Sequence, residues 1–431
     1  MSLTRRALWA VSLIVLLAIV GRWSGEPDLA HLWEIPAALL AVGFVVEGVM
    51  RRRALVALAL ELPAQVHLGR SARLEWRFSS AGPPVTLEYA ECAPPGVKFP
   101  AATGTVHVES GAEVRRPLEI TPLVLGKLRW PEVPARVRGL LGLAWWPRRL
   151  PIGAELNVVP DRLRRAATRP VLAKRGTSAR RVRGAGAEVF ELRDYVPGDP
   201  LRAIDWKASA RAQRLIARDF TEDQHLEVVL AIDAGRSSAL AAGELDRLGH
   251  YVNFACRFAE HVVSRDDEIG VIAFADQLIA AMPPGRGAAA VVRLRNALRT
   301  LRAVPRESNP LIAAARLRSL CRQRALFVLL TDLDDADAAS QLARAVRLLM
   351  PKHMPAVASV ANPELGELER APARRWLDPY VTLAASEQLE RIRANMFLLR
   401  RMGVPVVCAP AALLEESVFA LYDELKARRQ V

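Results

Sequence analysis

The sequence is poor in the residue patterns that chemistry at a compact site requires. Its four cysteines, Cys92, Cys256, Cys321 and Cys408, lie far apart and never as C-x-x-C, which speaks against a disulfide framework or a zinc site. They read as small buried hydrophobes in a reducing compartment. The seven histidines, at positions 31, 67, 107, 225, 250, 261 and 353, show no ligand spacing. No H-E-x-x-H, G-x-S-x-G or P-loop is present, so a hydrolase or nucleotide-binding reading has no motif to stand on. Aromatic residues make up only 6%. None of them falls between Arg162 and Arg183, a stretch with nine Lys or Arg and no acid. Nucleic-acid binding through that stretch would lack its stacking platform and ranks behind a solvated linker, contact with anionic lipid or a partner surface.

What is present describes a multidomain chain. At 431 residues, two or three folding units are expected. An apolar share of 51% with 25% charged residues is globular composition. The positive mean hydropathy of +0.12 points to a segment solvated by lipid. The formal charge of +14 and pI near 10.4 call for an anionic neighbour.

Two apolar runs open the chain. After Arg5 and Arg6, residues Ala7 to Val20 are apolar apart from Ser12, but a helix of that length rises only about 21 Å, short of a hydrocarbon core of roughly 30 Å. The second run, Leu29 to Met50, is long enough, with Glu34 and Glu47 expected near the headgroups. Arg51, Arg52 and Arg53 follow, while the connecting turn is nearly free of basic residues. By the positive-inside rule both outer ends are cytoplasmic, giving a two-pass anchor in a bacterial inner membrane. A cleaved signal peptide is the rival, and its cleavage site around Ala18 to Gly21 is poor.

Residues 54–160 carry short alternating runs, such as Arg73 to Phe78 and Val106 to Val108, punctuated by Pro and Gly clusters. This texture predicts a small β-sandwich. The basic stretch 161–183 and a charged segment 184–225 follow. From 226 to 431 buried strands alternate with amphipathic helices: Leu226 to Ile232, Ile269 to Phe274, Ala325 to Leu330, Ala356 to Val360 and Val404 to Cys408 as strands, with helices between them. Such alternation predicts a mostly parallel sheet covered on both faces, an α/β Rossmann-type domain.

Ligands in open α/β sheets bind beyond the carboxyl ends of the strands. There the first strand ends in Asp233-Ala-Gly-Arg-Ser237 and a later one in Thr331-Asp332. This resembles the metal-ion-dependent adhesion site of von Willebrand factor A domains, a D-x-S-x-S loop with a threonine and an aspartate from two further loops. The resemblance implies Mg²⁺ held by oxygen ligands from Asp233, Ser237, Ser308 and Asp332. It is incomplete: Gly235 stands where a serine is expected, and only Ser308 of the Arg306 to Pro310 loop can replace the threonine. The other reading is a vestigial site whose aspartates cap helices or bond backbone amides. Asp334, Asp335 and Asp337 are expected to face solvent at a helix start.

A denser pattern lies upstream, in Gly184-Ala-Gly186, Glu188-Val-Phe190, Leu192-Arg-Asp-Tyr195, Pro197-Gly-Asp199, Arg202-Ala-Ile-Asp-Trp206 and Ser209-Ala-Arg211. It resembles the signature of the DUF fifty-eight family of prokaryotic proteins, with Val189 as an inserted residue. That family's organisation implies a transmembrane pair, a β-rich segment, the signature and an A-like domain. It also implies association with MoxR-type AAA+ ATPases in assembling, maturing or regulating other proteins. With no catalytic motif in the chain, the leading expectation is a non-enzymatic adaptor; the alternatives are a membrane-associated hydrolase and an anionic-lipid or nucleic-acid tether acting through the basic stretch. The signature residues Glu188, Arg193, Tyr195, Asp199, Arg202, Asp205, Trp206 and Arg211 are read in two ways. They form a structural network tying the segment to the sheet edge, or a partner-docking surface rich in the residue types of interface hot spots.

Overall fold

The computed structural model describes residues 2–24, 31–50, 56–139, 141–163, 182–184, 188–197, 199–222 and 225–429. The arginine triplet 51–53, the turn 25–30 and most of the basic stretch lie outside the described residues. The chain forms two compact units, Met1–Asp161 and Arg162–Val431.

The first unit opens with two apolar helices, α1 (Arg5–Ser24) and α2 (Glu34–Met50). By length and composition α1 could cross a membrane, and it is the one described helix to do so. The first run, expected to be marginal, thus lies in a helix of sufficient length, and α2 covers only part of the run Leu29 to Met50. Thr4 starts α1 early, its hydroxyl accepting from Ala7 N–H at 3.3 Å and its carbonyl from Leu8 N–H at 3.1 Å. The helix therefore takes in Arg5 and Arg6 and reaches about 30 Å. In α2, Pro36 lacks an N–H and fits only the first turn, so that helix starts at Glu34 and rises about 26 Å.

The rest of this unit is β-structure. A five-stranded antiparallel sheet contains β1 (Val133–Arg138) and β2 (Ala144–Leu150), with Ser2–Leu3 pairing on the edge of β2. A four-stranded antiparallel sheet and a three-stranded mixed sheet complete it. Alternation works as expected here: Leu74, Trp76 and Phe78 point inward, and Trp76 meets Trp130 edge-on at 5.7 Å. The turn joining β1 to β2 touches both helices at once. Thr4 Oγ1 donates to Gly142 O at 2.6 Å, and the Glu47 carboxylate accepts from Leu143 N–H at 2.9 Å and Ala144 N–H at 3.0 Å. Glu47 is thus buried against protein.

In the second unit, β3 (Glu188–Asp194), α3 (Trp206–Ala212) and β4 (Ile216–Glu222) belong to the signature segment. With Val182–Gly184 the two strands make their own three-stranded antiparallel sheet. Among the described residues, none of its strands pairs with the large sheet. The inserted Val189 is absorbed by a register shift between Val189 and Glu191, the bulge that one extra residue imposes on an antiparallel pair.

The large sheet is built from β5 (Glu227–Asp233), β6 (Glu268–Phe274), β7 (Leu278–Gly285), β8 (Ala325–Leu330), β9 (Met354–Val360) and β10 (Val406–Ala409). Its order is β7-β6-β5-β8-β9-β10, parallel except for β7. The sequence reading missed β7 because its Pro283-Pro284 pair breaks the strand pattern, and proline is tolerated only on an edge such as this. The helices are α4 (Arg247–Ser264), α5 (Gly287–Leu298), α6 (Pro310–Leu320), α7 (Ala336–Leu349), α8 (Pro363–Arg370), α9 (Asp378–Arg401) and α10 (Ala411–Arg429). Val229, Ala231, Phe327, Leu329 and Val357 pack one face against Leu317, Val346 and Leu399 of α6, α7 and α9. The alternate residues Val228, Leu230 and Ile232 are equally buried on the other face, toward α4 and α10. Both faces are covered, which explains the nearly continuous apolar strands.

Candidate functional site

The strand after β5 in sequence lies on one side of it and β8 on the other, so the chain reverses its winding between β5 and β8. A crevice forms at the carboxyl ends of such a pair. Asp233 ends β5 and Thr331-Asp332 follows β8, so the residues predicted from sequence flank that point.

Asp233 is 1% exposed and its carboxylate is fully engaged. Oδ1 accepts from Gly235 N–H at 2.8 Å and from the Ser308 hydroxyl, while Oδ2 accepts from Thr331 Oγ1 at 2.6 Å. Burial pushes its carboxyl up, and these three donors pull against that shift. The Ser308 loop reaches Asp233 because its backbone is joined to the 234–236 turn: Arg236 N–H donates to Arg306 O at 2.8 Å and Val304 N–H to Ala234 O at 2.7 Å. Gly235 is explained by the same contact. A β-carbon there would run into the Ser308 hydroxyl and approach Arg306 O at 3.0 Å. The oxygen missing from position 235 is thus replaced, in space, by one from the facing loop. Ser237 is half-buried, and its hydroxyl is among the groups that stabilise the charged form of Asp332.

The group that sequence reasoning missed is Arg247. It is the first residue of α4, behind the cap Asp246, whose carboxylate accepts from Gly249 N–H at 2.7 Å. Its side chain is buried, with Nη1 2.6 Å from Asp332 Oδ2 and Nη2 2.5 Å from Asp334 Oδ2. Asp334 also accepts from Gln388 Nε2 at 3.1 Å. It therefore does not face solvent as expected, whereas Asp335 caps α7 through Asp337 N–H. Asn395 fixes the same loop by donating to Leu333 O at 2.9 Å. Burial alone would lower the Arg247 pKa, but Asp332 and Asp334 raise it above its ordinary value. Burial also dominates at Asp332, whose carboxyl is pushed up to about 7 despite the guanidinium beside it. A lone arginine within an amphipathic helix pattern carries no local signal of this role. The only hint is a cation in a first turn, where the helix dipole disfavours it.

In the signature segment, Arg193 grips Asp199 bidentately at 2.6 and 2.8 Å, and Asp199 also accepts from Val196 N–H at 3.0 Å. Tyr195 joins them through a 3.4 Å hydrogen bond from its hydroxyl to Asp199 O. Asp205 caps α3, accepting from Lys207 and Ala208 N–H at 3.0 Å each, and pairs with Arg218 at 3.4 Å. The backbone bonds at α3 come first in holding its pKa below the usual carboxylate range. Arg211 is exposed, and the side chains of Glu188 and Arg202 lie outside what is described. Around the Arg193–Asp199 and Asp205–Arg218 pairs, the segment leaves Leu201 71%, Trp206 64%, Val196 57%, Leu192 49% and Leu215 46% exposed.

Among the described residues no group of three or more His, Cys, Asp or Glu is arranged to hold a metal. The cysteines are free: Cys256 and Cys321 are buried as expected, and Cys92 and Cys408 only partly so.

Residues 191–371 match the family model described as protein of unknown function DUF58. No curated protein matches the chain. Among solved structures, the chain is similar to the conserved hypothetical protein BatB from Bacteroides thetaiotaomicron, at 12% identity and a TM-score of 0.32, over 47% of this chain and 99% of that one. It is also similar to a CARDB domain in complex with di-metal ions from Pyrococcus furiosus, at 15% identity and a TM-score of 0.17, over 25% of this chain and 89% of that one.

Proposed function

We propose that this chain is a non-enzymatic protein-interaction adaptor of a bacterial inner membrane, anchored by a two-pass helical pair. In this reading the β-rich part is a small sandwich and the α/β part a von Willebrand A-like domain, both on the cytoplasmic face. A MoxR-type AAA+ ATPase is its partner in assembly, maturation or regulation of other proteins, as the signature's resemblance implies. Support for the anchor is geometric. Thr4 at the start of α1 and Glu47 near the end of α2 bind the same β1–β2 turn, so the outer ends of the two helices lie on one side, as a hairpin requires.

The observation that carries the adaptor reading is the signature segment, where five large apolar side chains stay in solvent on a backbone fixed by Arg193–Asp199 and the Asp205 cap. Single exposed apolar residues are ordinary, but several on one short ordered segment mark an interaction surface. Trp206 has the chemistry of a hot spot, where truncation costs about 2 kcal/mol or more. The test is affinity purification of the full chain from native membranes. Wild type is expected to recover an AAA+ ATPase, and Leu201→Ala/Trp206→Ala to lose it at an unchanged melting temperature. Recovery of no ATPase, or equal recovery by the variant, refutes the reading. A reporter fused after Met50 that is active only outside the cytoplasm refutes the topology.

A further inference from the structure

The carboxylates at the edge of the parallel sheet are balanced by a side chain of the protein itself. Arg247 bridges Asp332 and Asp334 at 2.6 and 2.5 Å, with its side chain 4% exposed. A buried cation in the first turn of a helix works against the helix dipole, and its desolvation is offset only where carboxylates meet it closely. Local structure gives no reason for an arginine here. The carboxylates do.

A hard divalent cation requires about six oxygen ligands, near 2.1 Å for Mg²⁺. Among the described residues Asp332 Oδ1 lacks a hydrogen-bond partner, but each candidate carboxylate is already engaged on at least one oxygen. Asp233 is taken by Gly235 N–H, Ser308 and Thr331. Asp332 is in ion contact with a guanidinium held from its other side by Asp334. An ion placed on Asp332 would stand within a few ångströms of that fixed positive charge, where like charges repel strongly even at a moderate effective dielectric of about 20. With Arg247 in place, the residues do not fit Mg²⁺.

We infer that Arg247 is the resident cation of this edge, holding Asp332 and the 331–335 loop by charge where a divalent ion would otherwise be needed, so that the site keeps its shape without metal. The inference goes beyond the adaptor reading, and its test measures metal and not partner, so each can fail alone. The full chain is titrated with Mn²⁺ in detergent, with bound ion followed by electron paramagnetic resonance and thermal unfolding followed with and without chelator. Wild type is expected to bind no Mn²⁺ that depends on Asp332 and to melt at the same temperature in both conditions. Arg247→Ala is expected to melt lower, to gain one bound Mn²⁺ per chain and to recover stability as Mn²⁺ is added. That gain should vanish in Arg247→Ala/Asp332→Asn. Should Arg247→Ala fail to fold, Arg247→Ser/Asp334→Asn, which removes one charge of each sign, is read in the same way. Wild-type binding that Asp332→Asn abolishes, or a folded Arg247-less variant that gains no ion, overturns the inference.

Discussion

Glu47 is where the apolar helices and the β-structure of the first unit are joined, and its removal should be felt at the β1–β2 turn. The carboxylate is 1% exposed and accepts two backbone N–H groups, from Leu143 at 2.9 Å and Ala144 at 3.0 Å. Hydrogen bonds to a charged partner contribute about 1.5–3 kcal/mol each. Glu47→Ala removes both and leaves two donors without an acceptor, a cost of roughly 3–6 kcal/mol less whatever water recovers. Glu47→Gln keeps one acceptor and turns an NH₂ toward the second N–H, so about half of that cost is expected. Gly139 gives an independent perturbation, since a β-carbon there meets the Glu47 carboxylate, and Gly139→Ala should weaken the same contact by steric means. The assay is hydrogen exchange of the full chain in nanodiscs, read at the amides of Leu143 and Ala144. Each 1.4 kcal/mol of lost local stability shows as about a tenfold loss of protection. Glu47→Ala should therefore lose on the order of a hundredfold or more, with Glu47→Gln between it and wild type. Unchanged protection in both Glu47→Ala and Gly139→Ala would refute the clamp.

Two further outcomes are expected from the second unit. Gly235→Ser should destabilise it by about 1–3 kcal/mol through overpacking, because Ser308 already fills the space. Ser308→Gly added to that variant should restore the melting temperature, and a double variant no better than Gly235→Ser sinks the space-sharing argument. His353 is buried, accepts from Ala325 N–H at 3.4 Å through Nδ1, and has its pKa lowered by burial first and then by Lys352 and Arg318. A histidine kept neutral by the fold contributes stability that is complete above the unfolded pKa of about 6.5. That contribution is lost as pH falls toward the lower folded value, at up to about 1.4 kcal/mol per pH unit. Thermal unfolding between pH 7.5 and 5 should decline less steeply in His353→Gln than in wild type, and equal slopes would exclude this role.

Much of the second unit was legible because burial on both faces writes itself into composition. Strands such as Ala325–Leu330 are apolar at every position, and helices such as Ala336–Leu349 begin at a capping aspartate, Asp335. What escaped was set by partners distant in sequence. The strand Leu278–Gly285 has no pattern of its own and forms because the edge of β6 is open to it. Helix α9 begins at Asp378, whose carboxylate accepts from the N–H groups of Arg374 and Arg375 at 2.7 Å each, contacts made outside the apolar-periodic part of the helix. The lengths of α1 and α2 were misjudged for a related reason: apolar composition marks what lipid or core can hold, while Thr4 and Pro36 decide where the helices start.

The candidate edge site divides along the same line. Asp233, Ser308 and Asp332 could be found because strand ends are predictable and oxygen-bearing side chains there are few. Arg247 lies 85 residues before Asp332 and on a helix, so no spacing rule connects them. Three carboxylates, Asp233, Asp332 and Asp334, gathered at one buried edge must have their charge met by hydrogen-bond donors, a proton, a metal or a basic side chain. Hydroxyl and amide donors serve Asp233, and burial carries Asp332 toward a proton. Arg247 supplies the remaining compensation. The place to look for it was any basic residue in the first turn of a helix packed on the same strands, where nothing but a distant carboxylate could justify it.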